Sequence, residues 1–168
     1  MDSARVSFVP AGTDHHRLDG AWWPRSRDLP SELPALIAAL DLRFGRIGRV
    51  TVNSSMWPEV PRRIAVAGRT IRVGWFTSEQ DPNEICLLPV QGGRWDLLVV
   101  PPACEFSVAV RLMAAASAPL NRQPASAMLA EAADGRKAPT PECTAQAVRV
   151  LGDGTRLPEL VPTVPAVP

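Results

Sequence analysis

Asp19-Gly-Ala-Trp-Trp-Pro-Arg25 sets two adjacent tryptophans beside an arginine, a combination suited to stacking on a ligand or partner. In an extended segment Trp22 and Trp23 point to opposite faces, so one can enter a core while the other stays at the surface. Arg25, with Arg27 and Asp28 close behind, would add polar contacts. The plainer expectation is that Trp22 staples a helix to a sheet and Arg25 pairs with Asp19 or Asp28, because a tryptophan is more often core than site. Trp57 and Trp75 form a second aromatic group. If Trp23, Trp57 and Trp75 converge, they wall a pocket with Arg25, Asn53 and Arg72 as its polar groups. A tryptophan docking face requires that at least one of Trp22, Trp23 and Trp57 be substantially exposed.

Acid–base and metal chemistry have less to work with. Glu79 and Asp81, two apart in the polar stretch 77–83, offer a carboxylate pair for proton transfer or a hard cation, although Asp81-Pro-Asn83 is first a turn. His15 and His16 are adjacent, face opposite ways on an extended chain and have no third ligand nearby, so no metal site is assigned. There is no Gly-x-Ser-x-Gly elbow, no phosphate loop and no Gly-x-Gly-x-x-Gly, so neither a catalytic residue nor a cofactor is assigned. Cys86, Cys104 and Cys143 are odd in number and lack zinc spacing, as in a reduced cytoplasm, and Cys86 reads as a small buried hydrophobe.

Composition sets the frame for these residues. The chain has 168 residues, 18 Lys+Arg against 17 Asp+Glu, and 46% hydrophobic content. A net charge of +1 gives no general field for nucleic acid or an acidic membrane, and no apolar run reads as a signal peptide or a membrane span. A cytoplasmic protein with an unknown protein or small-molecule partner is expected, with nucleic acid an improbable one. Of 18 prolines, eight fall in residues 118–168, where no Trp or Phe occurs. This divides the chain into a globular domain over 1–117 and a Pro/Ala-rich, largely disordered tail over 118–168, with a short helix at 126–134 capped by Ser126. A weak hairpin within 148–157 and an extended end over 161–168 complete the tail.

The elements that must position the candidates follow from periodicity. Alternation marks strands at 5–9, 49–53, 63–67 and 70–76; in the last, Ile71, Val73 and Trp75 share one face and Thr70, Arg72 and Gly74 the other. The runs 84–90 and 95–100 read as strands buried on both faces, with Pro89 marking an edge or bulge. Leu33, Leu36, Ile37 and Leu40 define a helix with Ser31 as cap and Gly45 as stop. A second helix over about 105–116, rich in alanine, sets Phe106, Val110 and Met113 near one face. Close spacing argues for antiparallel pairing, giving an α+β fold: an antiparallel meander of five to six strands with two helices on one face, in the order β-α-β-β-β-β-β-α. Strands 5–9 or 49–53 could serve as edges for a homodimer.

The stretch from Asp19 to Ser26, with Leu33–Leu36, Val50–Asn53, Trp57-Pro58, Val73–Phe76, Gln80–Pro82, Arg94–Val99 and Arg111–Ala116, resembles a family of small actinobacterial proteins that form a domain of unknown function. The resemblance spans about Val6 to Ser117 and implies a cytosolic bacterial protein; it carries no reaction. The function the residues favour is a non-enzymatic binding or regulatory module built on the tryptophan/arginine surface. The alternatives are a small enzyme or ligand binder with a pocket near Trp57, Trp75, Glu79 and Asp81, and an interaction protein whose C-terminal tail docks a partner.

Overall fold

Leu29, Leu33, Leu36, Ile37 and Leu40 fall on one face of helix α1 (Leu29–Phe44) and are buried against a sheet. The computed structural model describes residues 3–12, 16–76, 78 and 80–135. The tail hairpin, the extended end, Cys143, His15 and Glu79 lie outside the described residues. Asp28, not Ser31, caps α1: its carboxylate accepts from the Ser31 backbone N–H, and Gly45, with φ +85°, ends the helix.

The strands are β1 (Val6–Phe8), β2 (Gly20–Trp22), β3 (Ile47–Asn53), β4 (Arg63–Val66), β5 (Arg69–Phe76), β6 (Glu84–Pro89) and β7 (Trp95–Val99), and two further helices are α2 (Phe106–Ala116) and α3 (Ala125–Ala133). They form one mixed sheet in the order β1-β2-β7-β6-β3-β5-β4. The expected antiparallel meander of five to six strands with two helices is therefore wrong. Among the described residues there are seven strands and three helices, and β2 with β7 and β3 with β5 pair in parallel. The spacing argument fails because parallel neighbours here are not consecutive. β4 occupies the connection between β3 and β5 and folds back as the outer hairpin strand, while β2 and β7 are brought together from 70 or more positions apart. Strand 49–53 is also not an edge; β1 and β4 are. Pro89 ends β6, an interior strand, opposite a bulge between Ile47 and Arg49.

The helices cover both faces rather than one. On the first face α1 buries Trp22, Val50, Val52, Ile71, Val73, Ile85, Leu87, Leu97 and Val99. On the second, α2 and α3 cover the β2–β7 end, enclosing Leu18, Ala21, Trp23, Leu98 and Val100. Helix α2 does not bury the face that carries Phe106 and Val110. Ala109, Leu112 and Ala116 are buried, while Phe106 is 70% and Val110 46% exposed. Alanine makes both faces of that helix apolar, so its period does not single one out. Packing continues past residue 117 into α3, where Ala125 and Met128 are buried and Ser126 donates from both its N–H and its hydroxyl to Asp81 Oδ2. Among the described residues no helix is long and apolar enough to cross a membrane.

Candidate functional site

The tryptophans separate instead of converging. Trp22 is 1% exposed and stacks on Trp57, itself 4% exposed, at 5.5 Å between ring centroids in the core under α1. Trp23 is 6% exposed in the opposite core, with the Arg5 guanidinium 3.7 Å from its ring centroid. All three are core residues, which removes the Trp22–Arg25 docking face. Arg25 donates to the Ser3 carbonyl at 3.2 Å, and among the described residues it pairs with neither Asp19 nor Asp28. Asn53 is buried and accepts from the N–H and hydroxyl of Ser55. Asp81 closes a turn through the Asn83 N–H and clamps α3 through Ser126. Trp57 lies in the core and Asp81 is engaged in these bonds, so neither opens a common wall with Trp75; Glu79, the fourth residue of the expected pocket, lies outside the described residues. Of the tryptophans expected to converge, Trp75 alone is exposed, at 44%.

Two clusters that the sequence did not single out occupy the part of the second sheet face left free by α2 and α3. Cross-strand register places Thr51 of β3 beside Cys86 of β6 and Gly74 of β5, and Cys86 beside Asp96 of β7, so all four share this face. Toward β7 the residues are acidic. Glu84, 6% exposed, has Arg94 Nη2 at 3.7 Å and Arg17 Nη2 at 3.9 Å. Asp96 binds the Arg94 Nε at 2.7 Å, and its backbone N–H donates to Asp19, which also holds His16 at 3.0 Å. Burial pushes the Cys86 thiol up to about 12, with Asp96 adding to the effect, so it is no thiolate nucleophile near neutrality. Among the described residues no group of three or more His, Cys, Asp or Glu is placed to hold a metal ion.

Burial, then the Asp96 charge, raises the Glu84 carboxyl above its usual range. The folded state therefore holds the Glu84 proton more tightly than the unfolded chain does. The stability this contributes is full below the ordinary glutamate range and is lost as pH rises through the raised value. Glu84→Gln is expected to raise the melting temperature at pH 7 relative to wild type and to lose that advantage toward pH 4. A melting series across this range checks it; a gain that grows on acidification contradicts it.

Toward β4 the same face is basic. Arg49 of β3 stands directly opposite Arg72 of β5, and Arg72 opposite Arg63 of β4, so three arginines form one row across three neighbouring strands. Alternation explains how they come to face outward: Val50, Ile71, Val73 and Ile64 go into the α1 core and their neighbours point away. The Arg49 guanidinium lies over Gly74, its Nη2 at van der Waals distance, 3.5 Å, from where a β-carbon would sit. β4 pairs with β5 only as far as Arg72, and beyond it the Arg62 carbonyl accepts from the Val73 N–H. Arg62 thus starts the rim, its guanidinium 5.9 Å from the Trp75 ring centroid. Arg49, Arg62, Arg63, Arg72, Gly74 and Trp75 are the main lining of an open depression of about 440 Å³. All four arginines are exposed, and among the described residues none is in an ion pair. Glu59, close by in sequence, forms no ion pair with Arg62 or Arg63 among the described residues.

A family model described as a family of unknown function (DUF5994) matches residues 5–116, from the residue before β1 to the end of α2. No curated protein and no solved structure matches the chain.

Proposed function

The chain belongs to that family, DUF5994, whose function is unknown, and on this premise we propose that it is a binding module for a compact polyanion, held over the arginine row of β3, β5 and β4. One observation carries the reading: Arg49, Arg72 and Arg63 are in direct cross-strand register with no acid among them. Like charges set opposite each other weaken a sheet, by about 0.2–1 kcal/mol a pair. A charged residue on an edge strand guards against edge-to-edge aggregation, which accounts for Arg63 on β4. It does not account for Arg49 and Arg72, which lie on interior strands. Guanidinium forks suit phosphate and carboxylate groups, and several converging on one anion offset the repulsion that the empty face carries.

Calorimetric titration of the full chain with tripolyphosphate at low salt tests the reading. One equivalent is expected to bind, with affinity falling steeply as salt is added because the contacts are ionic. Arg111→Gln, an exposed arginine on α2 away from the row, should leave the titration unchanged. No saturable binding, or equal loss with Arg111→Gln, sinks the proposal.

A further inference from the structure

Resting on that reading, we propose that the polyanion carries a flat aromatic ring, as a nucleoside di- or triphosphate does, with the base against Trp75 and the phosphates over Arg49, Arg72 and Arg63. Trp75 is the most exposed of the five tryptophans, with Trp22, Trp23 and Trp57 buried and Trp95 partly so, and it lies at the rim of the cationic depression. Alternation assigns it to the face of Ile71 and Val73, but it lies past the end of β4, where β5 has become the sheet edge. An indole left in water beside a guanidinium is a stacking platform that already has a cation next to it. Trp75 and Arg72 are three residues apart on β5, about 10 Å along the strand. A nucleoside with two or three phosphates spans that length; a lone orthophosphate does not.

The same face argues against a polymer. Beyond Cys86 its charges are paired, Glu84 and Asp96 with Arg94 and Arg17, and in the other direction it ends at β4. A phosphate backbone leaving the depression would meet Arg94 and Arg17, whose charges Glu84 and Asp96 already engage, or run off the sheet, whereas a mononucleotide ends within the unpaired basic zone.

The test compares ATP, tripolyphosphate and a short oligothymidylate by calorimetry on the full chain, without added divalent cation. ATP is expected to bind about tenfold tighter than tripolyphosphate, the contribution of one stacked base. Trp75→Ala should bring the two level, and Trp75→Phe should keep part of the preference. Equal affinities in the wild type, or a preference that survives Trp75→Ala, overturn the nucleotide assignment and leave the anion site standing. If neither ATP nor tripolyphosphate binds, the anion site falls as well. Tighter binding of the oligothymidylate than of ATP overturns the compact ligand in favour of single-stranded nucleic acid.

Discussion

Gly20→Ala is expected to destabilise the protein by about 3 kcal/mol or more, lowering its melting temperature by about 10 °C. Gly20 pairs with Phe8 on one side and Leu97 on the other, which fixes it between β1 and β7. A β-carbon at this position would lie 2.0 Å from the Ser7 carbonyl oxygen and 2.9 Å from the Phe8 Cα. Both are backbone atoms, so no side chain can rotate to make room. Nor can β1 retreat cheaply. The Ser7 hydroxyl donates to the Met113 carbonyl at 3.0 Å, and Ser117 Oγ lies 2.6 Å from Ser7 Oγ. Arg5 grips the carbonyls of Trp23 and Pro24 at 3.0 and 2.7 Å. Detaching β1 also uncovers Phe8, which packs edge-on against Phe44 at 5.1 Å. Gly92→Ala separates this effect from the backbone term alone. It too has a positive φ, but its β-carbon meets nothing within 4 Å, so its cost should stay at about 1–2 kcal/mol. Denaturant midpoints for the two variants decide the matter, and a Gly20→Ala protein no weaker than Gly92→Ala would show that β1 can shift after all.

Gly20 also shows what the sequence made legible and what it hid. Asp19-Gly20 reads as a turn, yet the glycine is there for close approach of two backbones, and nothing local signals that β1 will lie against it. The alternation of Trp22 and Trp23 was readable, and they do enter opposite faces. That the second face is roofed too was not, because its roof is α2 and α3, about 85 or more positions later in the chain. The inward set of β5 and the apolar face of α1 were visible because a half-buried strand and an amphipathic helix each write their period into local sequence. The arginine row was not visible. Arg49, Arg63 and Arg72 look scattered, and only the parallel pairing of β3 with β5 aligns them. The one available signal was parity: each occupies an outward position in its own strand. Glu84 was likewise hidden at the head of an apolar run, where its burial depends on neighbours from β7 and the 16–19 loop.

Combining Arg49→Gln, Arg63→Gln and Arg72→Gln separates a face kept for binding from a face kept for folding. A row maintained for the fold would cost stability when removed. These three hold no ion pair among the described residues, and two directly opposed like-charge pairs disappear with them. Relief of those pairs is worth about 0.2–1 kcal/mol each, so the triple variant should melt at or above the wild-type temperature. Binding should move the opposite way. A hydrogen bond to a charged group contributes about 1.5–3 kcal/mol, and even two of the three lost contacts lower affinity for tripolyphosphate by about 100-fold or more. Glutamine keeps most of the aliphatic stem and a polar head, so the neighbouring strands stay covered and the comparison isolates charge. Higher melting temperature with abolished binding would mean that the sheet tolerates internal repulsion for the sake of an anion it holds. Unchanged binding would move the anion elsewhere, and a marked fall in stability would make the row a structural feature of the β3–β5–β4 corner.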